Sequence, residues 1–260
     1  VYEAGSVISE KTFGTSTSIG VTSSDIGFTS ADFTYLQYYL DEACTQPFSG
    51  NFVKPTDGTQ PYLYAKFIEG NYNIVRDKND VNNMLNSSEE GTYYFFNTDA
   101  SKVIDMTGVA LKLKSGSAAM NVKIIGNGYT IKNLTYTVSN VNTQNGVYSM
   151  LGKLSASAEI NDLTIENVNI TLTTVRTSFS IYLVCSGIES GAKFNNFYIN
   201  GINLTVGKIS SSAKIENIPQ TNGEYSKDNC LFGGYSSDVD FLAANGGITV
   251  SAVTLNLPTT

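Results

Sequence analysis

Leu163-Thr-Ile-Glu-Asn-Val-Asn-Ile-Thr-Leu172 is a stretch that the chain writes again as Phe197-Tyr-Ile-Asn-Gly-Ile-Asn-Leu-Thr-Val206 and as Ile248-Thr-Val-Ser-Ala-Val-Thr-Leu-Asn-Leu257. Apolar residues fall at the same five places in each copy: Leu163, Ile165, Val168, Ile170 and Leu172; Phe197, Ile199, Ile202, Leu204 and Val206; Ile248, Val250, Val253, Leu255 and Leu257. Each copy is two short alternating runs with one extra polar residue between them. Alternation is the period of a half-buried strand, and recurrence at a fixed offset is the mark of a stacked repeat.

The first two copies are 34 residues apart and the next two are 51 apart. The difference predicts an insertion within 207–229, a polar stretch holding Pro219 and Asn222-Gly223, that leaves the stack as a loop. Outside the decapeptide, Tyr148–Leu154 precedes the first copy as Ile181–Ile188 precedes the second, and Ala158-Glu-Ile160 matches Ala192-Lys-Phe194.

One such strand has too little apolar surface to offset backbone ordering, which costs about 1–2 kcal/mol per residue. Stacked on its copies, Ile165 meets Ile199 and then Val250, and each apolar side chain buried this way contributes about 1.5–3 kcal/mol. The polar residues between the runs (Glu166-Asn167, Asn200-Gly201, Ser251-Ala252) are expected at a corner where the strand changes face. The expectation is a β-solenoid. The alternative, an antiparallel Greek-key sandwich, explains the alternation but predicts no repeated corner.

Composition agrees with strands. Of 260 residues only 15% are charged, 41% are hydrophobic, and Tyr (16) outnumbers Phe (13). β-branched and aromatic residues suit a pleated, half-buried surface. The net charge of −7 argues against a non-specific nucleic-acid binder, which needs a basic stripe, and no apolar run reaches membrane-spanning length. The chain begins at Val1 with neither Met nor an apolar leader, and is read as a mature or trimmed form whose targeting segment is missing. Export to the cell surface or beyond is thus an expectation from composition. Sequon matches at Asn86, Asn133, Asn169 and Asn203 carry little weight in a chain this rich in Asn and Thr. The odd count of three cysteines, Cys44, Cys185 and Cys230, excludes a fully paired framework and leaves one disulfide plus a thiol, or three thiols.

Residues 1–70 read as an N-terminal cap and 71–260 as the repeat domain. Within the cap, 31–44 is the best helix candidate: Ser30 can cap it and Phe33, Leu36, Tyr39 and Leu40 share one face. A second short helix fits 78–86 with Val81, Met84 and Leu85 inward; Tyr62–Ile68 and Gly91–Phe96 read as strands, and Gly126-Asn-Gly128 as a turn.

Gly126-Asn-Gly-Tyr-Thr-Ile-Lys-Asn-Leu134 resembles a run found in right-handed parallel β-helix proteins of bacterial surfaces. Ile160-Asn-Asp-Leu-Thr-Ile-Glu-Asn-Val168 is similar to their coil, and Leu231-Phe-Gly-Gly234 to the step of their GLUG-type repeats, with Met150-Leu-Gly152 a weaker copy. The region 77–108 resembles their lead-in. The likeness covers 75–257 and implies a right-handed parallel β-helix; with the cap read from residues 1–70, the expected fold is such a β-helix with an N-terminal cap containing one or two short helices. It also implies export, and adhesion or carbohydrate contact.

Chemistry is sparse. The chain has no His, so Ser-His-Asp and Cys-His sites are impossible. No CxxC, Walker or Rossmann pattern occurs, and neither metal nor cofactor is expected. Asp238-Val-Asp240 puts two carboxylates on one strand face, the raw material of a lyase or hydrolase, but a solvated edge is the preferred reading. Tyr35, Tyr38, Tyr62 and Tyr64 could stack on sugar rings in a carbohydrate-binding module, against the ordinary role of half-buried strand residues. The aligned residues Asn169/Asn203/Thr254 and Thr171/Thr205/Asn256 form a polar ladder. Flat Thr ladders suit ice binding, but these rows mix Asn with Thr, and Tyr198 in a flanking row would break a flat face; a solvated outer face is preferred. The reading is a non-catalytic, exported surface protein, adhesin-like or structural, whose partners are a polysaccharide, a cell-surface glycan or further copies of itself, self-assembling through an open sheet end.

Overall fold

The computed structural model describes residues 18–20, 31–53, 55–57, 62–86, 91–96, 101–116, 119–218, 220–221, 224–225, 230–235 and 247–258. The chain packs as two compact units, Val1–Tyr72 and Asn73–Thr260.

In the first unit, Phe33–Tyr39 and Tyr64–Glu69 pair antiparallel. The helix expected over 31–44 is therefore a strand. The register slips between Tyr35 and Gln37, and buried Leu36 sits at the slip. A bulge of this kind shifts the inward positions by one residue: Leu36, Tyr38 and Tyr39 are buried, whereas Phe33 and Leu40, assigned to the same helical face, are exposed. Tyr38 and Phe48 form a small core with Tyr35, Leu63, Ala65 and Phe67 around it.

In the second unit the helix Lys78–Asn86 forms as its sequence predicts. The Asp77 carboxylate accepts the backbone N–H groups of Asn79 (2.8 Å) and Asp80 (3.1 Å), satisfying two donors of the first turn. Val81, Met84 and Leu85 are buried on its inner face.

The strands do not form the expected right-handed parallel β-helix on a helical cap. Among the described residues they divide among six separate sheets of mixed order. Asn51–Val53 pairs antiparallel with Ser18–Gly20, Gln220–Thr221 with Glu224–Tyr225, and Gly146–Ser149 with Lys114–Ser115, in addition to the pair in the first unit. A continuous coil would carry parallel pairs throughout.

The largest sheet has nine strands, every pair parallel. At its centre Glu159–Val175 pairs with Lys193–Ile209, which pairs with Ile248–Asn256. The register sets Leu163 beside Phe197 and Ile248, Ile165 beside Ile199 and Val250, and Ile170 beside Leu204 and Leu255. All but the outermost Val250 and Leu255 are buried. Between the apolar runs the backbone turns left-handed at Asn133 (φ 61°), Asn167 (φ 56°), Gly201 (φ 81°) and Ala252 (φ 53°). Asn and Gly tolerate this region, whereas a β-branched residue there is costly. These four residues stand at one level and bend the chain there, three of them within a strand and Asn133 between Val122–Lys132 and Thr135–Val141.

A smaller four-stranded parallel sheet joins Ala119–Met120, Lys153–Leu154, Cys185–Ile188 and Phe232–Tyr235. A Cβ on Gly233 would overlap the backbone of Ser186 in the neighbouring strand, so this step requires glycine. Part of the 207–229 insertion, expected to protrude, instead packs inward. Ala213, Ile215 and Ile218 are buried. The Asn217 amide accepts the Ile181 N–H (2.9 Å) and donates to the Ile181 carbonyl (2.7 Å), acting as a one-residue strand along that edge. No disulfide joins the three cysteines, and Cys185 and Cys230 are buried. Burial pushes the Cys185 thiol up to about 12, which leaves it protonated and inert.

Candidate binding faces

The aromatic candidates lie in the first unit. Tyr35 and Tyr38 are brought together, ring centroids 5.3 Å apart and edge-on, and Tyr35 meets Phe67 at 5.9 Å across the pair. Tyr38 is buried, Tyr64 stands opposite Tyr39, and Tyr62 is 59% exposed. Lys66 reaches over the Tyr39 ring at 5.7 Å. These aromatics chiefly pack against one another, and Tyr62 is the one that offers an open ring. Asp238 and Asp240 lie outside the described residues. Among the described residues no cluster of three acidic or thiol side chains could hold a metal ion.

In the second unit, the sheet presents two outer faces on either side of the left-handed corner. Before the corner lie Thr130, Thr164, Tyr198 and Thr249 in one row, and Asp105, Lys132, Glu166, Asn200 and Ser251 in the next. This face is charged and uneven. The Lys132 ammonium lies 3.6 Å from the Asp105 carboxylate. Asp105 also accepts hydrogen bonds from the Thr107 hydroxyl (2.7 Å), the Thr107 N–H (2.9 Å) and the Asn133 amide (2.9 Å).

The Thr107 hydroxyl first, then the Asn133 amide and the Thr107 N–H, hold the Asp105 carboxyl well below the usual carboxylate range. A carboxylate with a depressed folded-state pKa contributes stability that is fully present above its unfolded value and is lost as pH falls. The melting temperature is therefore expected to drop between about pH 5 and pH 2, and to drop less steeply in Asp105→Asn. Calorimetry giving the same slope for both proteins would remove Asp105 from the acid response.

Beyond the corner the chemistry changes. Thr135, Asn169, Asn203 and Thr254 stand side by side on four strands, and two residues on Thr137, Thr171, Thr205 and Asn256 do the same. Six of the eight are exposed, and Thr171 and Asn203 are half-buried. The residues between them, including Tyr136, Ile170 and Leu204, are buried in the core. Alternation thus pins these eight outward. No charged residue occurs in 135–141, 168–175, 202–207 or 253–257. The Asn203 amide donates to Asn169 Oδ1 at 3.3 Å, tying neighbouring strands together on the outer surface.

No protein-family profile, curated protein or solved structure matches this chain. The site is therefore argued from its own geometry. The sequence already contained the two ladder rows on the last three strands. It did not reveal that Thr135 and Thr137 extend them to a fourth strand. The corner expected at Asn200-Gly201 already set Tyr198 before the bend and Asn203 and Thr205 after it, although the ladder rows and the Tyr198 row were weighed as parts of one face. The left-handed Gly201 stands within that expected corner. No helix among the described residues is long and apolar enough to cross a membrane.

Proposed function

We propose that the chain is a non-catalytic, exported surface protein that makes contact through the uncharged Thr/Asn face of its largest sheet, in an adhesive or structural role. The observation that supports this reading is the four-strand register that aligns Thr135, Asn169, Asn203 and Thr254 with Thr137, Thr171, Thr205 and Asn256. A sheet backed by buried Tyr136, Ile170 and Leu204 is a rigid support, and rigid display lowers the ordering cost of a contact. The low charge, the absence of His and the likeness of Gly126–Leu134 to bacterial surface proteins point the same way.

The test is location and contact together. Antibody against the chain should stain intact source cells, and beads coated with the chain should adhere to a solid surface more than beads coated with Thr205→Lys. Staining that emerges only after lysis, or adhesion unchanged by the substitution, would overturn the reading.

A further inference from the structure

We propose that the Thr/Asn face binds ice. The inference rests on the reading of that face as the contact surface, and it names the ligand.

Three features carry it. The first is regularity. Parallel strands lie about 4.8 Å apart and alternate residues about 6.6 Å apart along a strand, so the eight side chains form a two-by-four lattice of polar groups. The strands pair without a register slip from Thr135 to Val138 and from Val168 to Leu172, so the lattice is unbroken in both directions. An extended crystal is the ligand whose own repeat can be met by a repeating array; a single small solute would use a concave pocket with converging groups.

The second is chemistry. Charged groups hold their own hydration shells and oppose the ordered, uncharged network of a crystal surface. The eight positions carry none, and the exposed Lys112 follows the strand Ala110–Leu111 that borders Thr135, while the adjoining face carries Asp105, Lys132 and Glu166. Thr presents a methyl and a hydroxyl together, so its apolar part can sit in a lattice opening while its oxygen joins the hydrogen-bond network. Five of the eight positions are Thr. Sugar recognition would call for aromatic platforms, and the aromatic on these strand segments, Tyr136, is buried in the core.

The third is flatness. Tyr198 would spoil a planar array if it lay on the same face. It precedes the left-handed Gly201 and pairs with Thr164 and Thr249, in the row across the bend. The objection that the linear sequence raises against ice is thereby removed.

The experiment is partition into a slowly grown ice layer, with the purified full chain and three variants, each first checked for an unchanged circular-dichroism melt. The wild type should be enriched in the ice several-fold over a non-binding globular protein at the same concentration. Thr205→Lys should reduce the enrichment to the level of that protein. Tyr198→Lys, which adds the same charge across the bend, should leave it intact. If Thr205→Lys fails to fold, Thr254→Lys at the outer strand makes the same test with less burden on the sheet. Exclusion of the wild type from ice, or equal loss in Tyr198→Lys, would overturn the proposal. Exclusion from ice combined with loss of bead adhesion in Thr205→Lys would reject ice as the ligand while leaving the contact face standing. Retention on insoluble cellulose or chitin with exclusion from ice would likewise reject it, in favour of a glycan lattice.

Discussion

Replacing Phe197 with alanine is expected to lower the unfolding free energy by about 3–5 kcal/mol. Phe197 is completely buried, and it stands between Leu163 on one neighbouring strand and Ile248 on the other. Its ring stacks on that of Phe194, centroids 6.3 Å apart and the planes nearly parallel at 15°. Truncation removes the transferred apolar area and the ring pair, and leaves a cavity that flanking strands held by their hydrogen bonds cannot close. The loss falls on a row that runs across three strands, so the urea midpoint should fall with the slope of the transition unchanged. The adjacent exposed position is the control. Tyr198→Ala should change stability by no more than about 0.5 kcal/mol. Equal losses at the two positions would mean that Phe197 does not face the core.

Gly126→Ala is expected to destabilise the protein by about 1–3 kcal/mol or more, although it adds one methyl group. A Cβ at this position would lie 2.7 Å from Leu163 Cβ and 2.8 Å from the Asp162 carbonyl carbon. Neither neighbour is the free end of a long side chain. One is fixed in the core row and the other is backbone, so the two strands must separate where they approach most closely. Gly128 makes the useful contrast. Its φ of +74° is in the left-handed region, and the nearest atom to an added Cβ is the Lys102 ammonium at 3.8 Å. Asn adopts that conformation readily, so Gly128→Asn should cost far less than Gly126→Ala. Thermal melts giving the reverse order would contradict the packing assigned to this segment.

The parts of this fold that were legible in the sequence are those where a local pattern also decides the tertiary contact. Ile165, Ile199 and Val250 could be aligned because a strand's inward set is fixed once its neighbour's is. The helix over 78–86 could be read from Val81, Met84 and Leu85 because capping Asp77 and the inward stripe agree. The strand Phe33–Tyr39 was misread because Phe33, Leu36, Tyr39 and Leu40 are spaced as on one helical face, although Phe33 and Leu40 are exposed. Its run of Phe, Thr and Tyr residues was the competing signal for a strand. The division of the described strands among six sheets was not legible, because short antiparallel pairs such as Lys114–Ser115 with Gly146–Ser149 carry no pattern of their own. The inward packing of Ala213, Ile215 and Ile218 was masked by their polar neighbours.

For the binding faces, the sequence named the Thr/Asn rows and the tyrosines with equal ease. Exposure separates them. Tyr38 is buried against Phe48, whereas Thr205, Thr254 and Asn256 face outward. The bend at Asn167 and Gly201, which decides what shares a surface with Thr171 and Thr205, depends on backbone conformation that residue identity only partly specifies.

Parallel, in-register stacking builds both the core rows and the Thr/Asn face, and paired cysteines report on that register. Thr171 and Thr205 are register partners, so their Cα atoms lie about 4.8 Å apart, within the reach of a disulfide. Thr171 and Asn203 are diagonal, at about 8 Å, beyond that reach. Under mild oxidation, peptide mapping should find the Thr171→Cys/Thr205→Cys protein cross-linked between those two positions and the Thr171→Cys/Asn203→Cys protein uncross-linked. Cross-linking of the diagonal pair in preference to the direct one would contradict the register and, with it, the face.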